Sequence, residues 1–173
     1  MDVFEAIKRR KSIRAFKNVD VPEEDVEKLI EAARWAPSAG NIQPWEFIIV
    51  RNPETKRKLA EAALNQSFIE EAPVVIVVCA DYERSARGYG SRGATLYCIQ
   101  DTAAAIQNIH LAAVAMGLGT CWVGAFREEP VKELLKIPDG VRPVAIIPVG
   151  CPAEQPKPRP RRPLSEIIHR EVF

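Results

Sequence analysis

Arg9, Arg10, Lys11 and Arg14 place four cations within six residues of chain, with the hydroxyl of Ser12 among them. Guanidinium forks bind phosphate oxygens in pairs and a hydroxyl adds a neutral donor, so this run could cradle an anion. Arg10, Ser12 and Arg14 alternate onto one side if the chain here leaves a helix and becomes extended, with Lys11 as further positive charge between them. A solvated basic face is the plainer reading of the same run. Farther on, Pro37, Ser38, Ala39, Gly40, Asn41, Ile42, Gln43, Pro44 and Trp45 follow one another in a turn-rich loop. The amides of Asn41 and Gln43 offer both donors and acceptors, which suits the edge of a flat heterocycle. Ala39 and Gly40 allow close approach, and Gln43-Pro44 sets an extended exit toward Trp45. The alternative is a helix-ending turn that buries Trp45.

A third cationic feature lies near the other end. Residues 148–163 hold six prolines, which predicts an extended arm starting at Pro148, outside any helix or sheet interior. Along such an arm Arg159 and Arg161 share one face and Arg162 takes the other. This pair reads as a solvated tail, a nucleic-acid contact or a phosphate clamp, and the cluster at Arg9–Arg14 favours the clamp.

Composition narrows the classes. The chain has 173 residues, which suits one domain, 1–173, with a sizeable core. With 24 basic and 23 acidic side chains, nothing draws the whole molecule to nucleic acid or an anionic membrane, so any cationic site is local. Cys79, Cys98, Cys121 and Cys151 are far apart and the only histidines are His110 and His169, a pattern that does not build a zinc site. The first residues lack the pattern of a secretory signal and no apolar run is long enough to span a bilayer, so a cytoplasmic protein with reduced thiols is expected.

The elements that must position these residues follow from periodicity and punctuation. Helices are predicted over 2–10 and over 22–35, the second with Asp20 as a possible cap and Pro37 as its stop. Residues 46–50 read as a short buried strand, 53–63 as a helix capped by Asn52, and 74–80 as a central strand. Residues 81–93, polar with three glycines, read as a mobile loop or lid. Residues 95–116 read as one long helix of roughly 33 Å, apolar on nearly every face. Burying it all round needs a second subunit, so a homodimer packed along it is expected. Strands at 120–123 and 144–149 flank a short helix at 130–136. Without a repeated βαβ unit the fold class is α+β, a mixed, mainly antiparallel sheet flanked by helices.

The ordered blocks carry a resemblance. They are Arg-Arg-Lys-Ser-Ile-Arg-Ala-Phe at 9–16, Ala-Pro-Ser-Ala-Gly-Asn-Ile-Gln-Pro-Trp at 36–45, Glu-Ala-Pro-Val-Val-Ile-Val-Val at 71–78 and Gln-Asp-Thr-Ala-Ala-Ala-Ile-Gln-Asn-Ile at 100–109. Gly-Leu-Gly-Thr-Cys-Trp-Val-Gly-Ala-Phe at 117–126, Pro-Val-Gly at 148–150 and Arg-Pro-Arg-Arg-Pro-Leu at 159–164 complete the series. Together they resemble the FMN-dependent nitroreductase family over practically the whole length. The resemblance implies a homodimer with a tightly but non-covalently bound FMN at the subunit interface. It puts Arg10 and Ser12 on the phosphate side and Arg14 near the pyrimidine edge, with Lys11 among the cofactor-binding residues of the same segment. Pro37, Ser38, Ala39 and Asn41 match the loop that a partner subunit lays over the flavin, and Gln43 is a further cofactor-binding candidate. Asn65, with Gln66 as the other register, matches the amide near the ring edge; Val123 and Gly124, with Ala125, match backbone facing N5; Arg159 and Arg161 match the C-terminal phosphate clamp.

The activity so implied is ping-pong hydride transfer from NADH or NADPH through flavin N5 to a nitroaromatic or quinone-type acceptor. No side chain serves as a catalytic acid or base, and the Gly124 backbone and Arg14 play supporting electrostatic parts. A flavin-storage protein, or a relative that dehalogenates or oxidises azolines, would carry the same blocks. A nicotinamide-only dehydrogenase is disfavoured, since Gly117-x-Gly119 runs into Trp122 where a third glycine is needed. His110 reads as a core or interface residue, and Cys121 as packing.

Overall fold

The computed structural model describes residues 1–173. A four-stranded sheet in the order β1-β2-β4-β3 forms the middle layer, from β1 (Trp45–Val50), β2 (Val74–Asp81), β3 (Gly119–Thr120) and β4 (Val141–Gly150). All three strand pairings are antiparallel, and a single parallel bridge from Ser12 to Thr120 ties the N-terminal segment to the sheet's far edge. The expected α+β class holds.

β2 explains the layering. Its residues Val74–Ala80 are all fully buried, which a strand achieves only when both faces are covered. Val74, Ile76 and Val78 pack with Leu29 and Ala33 of α2 (Glu23–Arg34) and Ile106 and Ile109 of α6 (Cys98–Ala115). Val75, Val77 and Cys79 face the other way, against Leu59 of α3 (Pro53–Ala62), Ile69 of α4 (Phe68–Glu71) and Val131 of α7 (Glu128–Leu135). Asn52 caps α3 as expected, its side chain accepting from the Thr55 amide at 3.0 Å. No helix is long and apolar enough to cross a membrane.

Several expectations need correction. Pro22, already extended, occupies the cap position of α2, so Asp20 lies too far from the first helical amides and pairs with Arg51 at 3.0 Å instead. β1 is an edge strand whose only buried residues are Trp45 and Val50, not a buried one. Residues 81–93 are not a loop. They form α5 (Tyr82–Arg92), capped by Asp81 and broken at Tyr89 and Gly90, where Gly90 takes φ +55°. The other two glycines of the stretch serve close packing: a Cβ on Gly88 would meet Ile42 Cδ1 at 2.6 Å, and one on Gly93 the Ser85 carbonyl oxygen at 2.3 Å. A π-helical turn at Gly93–Tyr97 then leads into α6, which is therefore shorter than predicted, about 27 Å.

The strand predicted at 120–123 narrows to Gly119–Thr120 plus a separate bridge between Val123 and Ile146, with Cys121 and Trp122 stepping out between. β4 starts earlier than predicted, at Val141, and so takes in Pro143. Pro143 sits where the β2–β4 register shifts, a bulge that tolerates a missing amide. Pro148 lies within β4, as the strand expected at 144–149 has it, and the proline-rich arm follows from Cys151. Alternation from Ile146, whose amide bonds Val123, turns the missing Pro148 donor toward Cys121 and Trp122, the stretch left out of the ladder.

α6 carries a buried histidine on its inner side. His110 is 3% exposed, its Nδ1 lies 2.6 Å from Thr120 Oγ1, and its ring stacks on Trp122 at 5.9 Å between centroids. Burial above all, helped by the Arg10 charge, pulls its pKa from an ordinary 6.5 down to about 4. Between those values the unfolded chain binds the extra proton, so the folded state keeps this contribution above pH 6.5 and loses it as pH falls toward 4, by up to about 3 kcal/mol. Urea midpoints measured from pH 7 to pH 4 should fall for the native protein, and His110→Gln should flatten that part of the profile.

Candidate functional site

α1 (Val3–Arg9) ends at Arg10, whose backbone is extended (φ −56°, ψ 123°). The chain then runs along β3: the Ile13 amide donates to the Thr120 carbonyl at 2.9 Å. This placement turns Arg10, Lys11, Ser12 and Arg14 into a cavity of about 350 Å³. The opposite wall is the proline-rich arm, contributing Glu154, Pro156, Lys157, Arg159 and Arg161. Arg162 points elsewhere, to Glu166, as the alternation predicted.

What joins the two walls is an antiparallel zipper. Lys17 N donates to the Cys151 carbonyl at 2.8 Å and Ala153 N to the Ala15 carbonyl at 2.9 Å, around a bridge between Phe16 and Pro152. The result is six cations facing one space. None of the six makes an ion pair, although twelve ion pairs occupy cations elsewhere on the chain. Like charges held together without partners destabilise the empty cradle and favour a multivalent anion. Arg14 also lies over the Phe68 ring, 5.8 Å from its centroid.

The loop at 37–43 does not line this cavity. Ser38 Oγ accepts from the Gln43 amide at 3.0 Å, and Gln43 Nε2 donates to Asn41 Oδ1 at 3.1 Å, so these polar groups brace the turn itself. Asn41 and Gln43 both take positive φ, 55° and 54°, which this network stabilises. The loop is pinned to α6 by Asp101, whose buried carboxylate accepts from the Ala39 amide at 3.2 and 3.3 Å. Burial raises the Asp101 pKa, and the Ala39 hydrogen bond opposes that rise.

The remaining candidates sit at another edge. Gln66 Nε2 donates to the Ala63 and Ala125 carbonyls at 2.9 and 3.3 Å, whereas Asn65 is exposed. Val123 is buried with its amide bonded to Ile146; Gly124 is exposed, and its amide has no acceptor within the chain. The Cys121 thiol is pushed up by burial, against the opposing charge of Arg14, and is held as a neutral thiol. Sequence reasoning missed three residues here. Lys157 shares the alternation of Arg159 and Arg161 and was there to be read; Glu154 and Asp101 act on backbone amides distant in sequence and gave no local signal.

With this geometry in view, comparisons with known proteins identify the class. The sequence profile of the Nitroreductase family matches residues 7–67 and 61–151, and the chain belongs to that family. A relative from Methanothermobacter thermautotrophicus, provisionally named an NADH dehydrogenase/NAD(P)H nitroreductase, is 42% identical over 164 residues, covering 92% of this chain and 82% of the relative. The FMN reductase (NADPH) of Bacillus subtilis is 31% identical over 99% of this chain and 74% of its own. Among solved structures, the NADPH:FMN oxidoreductase of Vibrio harveyi complexed with NAD+ superposes with a TM-score of 0.91 at 30% identity, covering 99% of this chain and 77% of that one.

The Asp101 contact yields a prediction. Asp101→Ala leaves the Ala39 amide without its acceptor, at a cost of about 1–3 kcal/mol. Hydrogen exchange at Ala39 should then quicken by about tenfold or more, while Asp101→Asn, which keeps a carbonyl oxygen in place, should change it far less.

Proposed function

We propose that this chain is an FMN-dependent NAD(P)H oxidoreductase that reduces nitroaromatic or quinone-type acceptors in a ping-pong cycle. The observation that carries the reading is the cradle of six unpaired cations with Ser12 at its wall, in a chain whose relatives are named for FMN and NAD(P)H. The residues suit the cofactor. A phosphate monoester is close to a dianion at neutral pH and offers three acceptor oxygens, matching the guanidinium forks of Arg10, Arg159 and Arg161. The unbonded Gly124 amide supplies a main-chain donor of the kind that an oxidised ring nitrogen, with its free lone pair, accepts, and Val123, whose amide is already bonded, does not. Between the two amides left open by the sequence, the engaged Gln66 braces the Ala125 backbone and the free Asn65 suits the ring edge.

When bound, FMN supplies the hydride chemistry at N5. The protein's contribution is to bind, orient and polarise. Arg10, Lys11, Ser12, Arg159 and Arg161 hold the phosphate, and Arg14 stabilises negative charge on the pyrimidine side. The braced loop of Pro37, Ser38, Ala39, Asn41 and Gln43 lies apart from the cradle of its own chain, which accords with its covering the flavin bound by a partner subunit. Exposed Val3, Phe4 and Ile7 on α1, Trp35, and Leu164, Ile167, Ile168, Val172 and Phe173 beyond the arm support a homodimer that buries them.

Two outcomes test this reading. Purified protein loaded with FMN should bleach under anaerobic NADH or NADPH and regain its flavin bands when menadione or a nitroaromatic is added; a bound flavin that neither donor reduces would count against it. Arg10→Ala should weaken FMN binding by roughly 1.5–3 kcal/mol, about 10- to 150-fold in Kd by fluorescence titration.

A further inference from the structure

One carboxylate stands among the six cations. Glu154 lines the cradle, yet its Oε1 is not paired with any of those cations. It accepts instead from two successive backbone amides, Arg14 N at 2.5 Å and Ala15 N at 3.2 Å. The neighbouring Ala153 amide donates to the Ala15 carbonyl. In a continuing antiparallel ladder the Ala15 amide would bond a main-chain carbonyl of the arm in return. Here the arm turns away, and the Glu154 side chain closes the ladder in its place. Beyond it Pro156, Pro158 and Pro160 carry no amide hydrogens, so the arm has little means of pairing further.

From this geometry we infer that Glu154 is a positioning residue: it sets where the arm leaves the N-terminal segment and so holds Arg159 and Arg161 opposite Arg10, Ser12 and Arg14. The inference rests on the reading of the cradle as the FMN phosphate site. Its action is through backbone amides, not through the ligand. A negative charge in an anion site weakens phosphate binding by Coulomb repulsion; a pin that aligns two cationic walls strengthens it. The two effects have opposite signs, which makes the role measurable.

The experiment compares FMN with riboflavin, which lacks the phosphate, by fluorescence titration of the wild type, Glu154→Ala and Glu154→Gln. Glu154→Ala removes both charge and pin, and should lower the preference for FMN over riboflavin at least tenfold with riboflavin affinity little changed. Glu154→Gln keeps an acceptor oxygen at the two amides while removing the charge, and should hold the preference within about threefold or raise it. Hydrogen exchange at Arg14 and Ala15 should quicken in Glu154→Ala and stay slow in Glu154→Gln. A Glu154→Ala variant that prefers FMN as strongly as the wild type, or more strongly, would overturn the positioning role while leaving the phosphate site standing. Wild-type protein that holds the two flavins equally would instead remove the phosphate site itself.

Discussion

Six cations brought to one cavity repel one another, and the structure depends on keeping them there. They come from two stretches of chain about 140 residues apart in sequence, so no local propensity can hold them. The zipper between Ala15–Lys17 and Cys151–Ala153 does so, and it is short. It relies in turn on the sheet: β4 delivers Cys151 to one side, and β3 captures Ser12 and Ile13 on the other through Thr120. The three-layer core around β2 is thus the foundation for a site whose cavity none of its side chains line.

The buried His110 belongs to the same arrangement. Neutral and buried, it packs Thr120 and Trp122 behind the segment that carries Arg10, without adding another cation to a place already crowded with them. The thiol of Cys121 obeys the same rule, kept neutral by burial. Directional polar bonds and apolar packing support the cradle from behind, while the charges are confined to its surface, where an anion can reach them. Asp101 serves the loop at 37–43 comparably, a buried acceptor placed under a single backbone amide.

Much of this could be read in the residue order. The alternation that selects Arg10, Ser12 and Arg14, and again Arg159 and Arg161, is a property of extended chain and survives in the fold. Central burial of Val74–Ala80 was equally open to reading. The failures have physical causes. Three glycines in residues 81–93 argue against a helix by propensity, but contacts such as Gly93 against Ser85 override it. Glu154 was invisible because its partners are main-chain amides, and every residue has those.

The central claim is that the paired cationic walls hold a phosphate as its dianion. The 31P resonance of bound FMN, followed from about pH 7.5 to pH 5, tests this most directly. In free FMN the phosphate takes up a proton near pH 6. The surrounding cations favour the doubly charged form and push that pKa down, so the account predicts a bound resonance that stays flat across the range. A bound phosphate that titrates near pH 6, as it does in water, would contradict it.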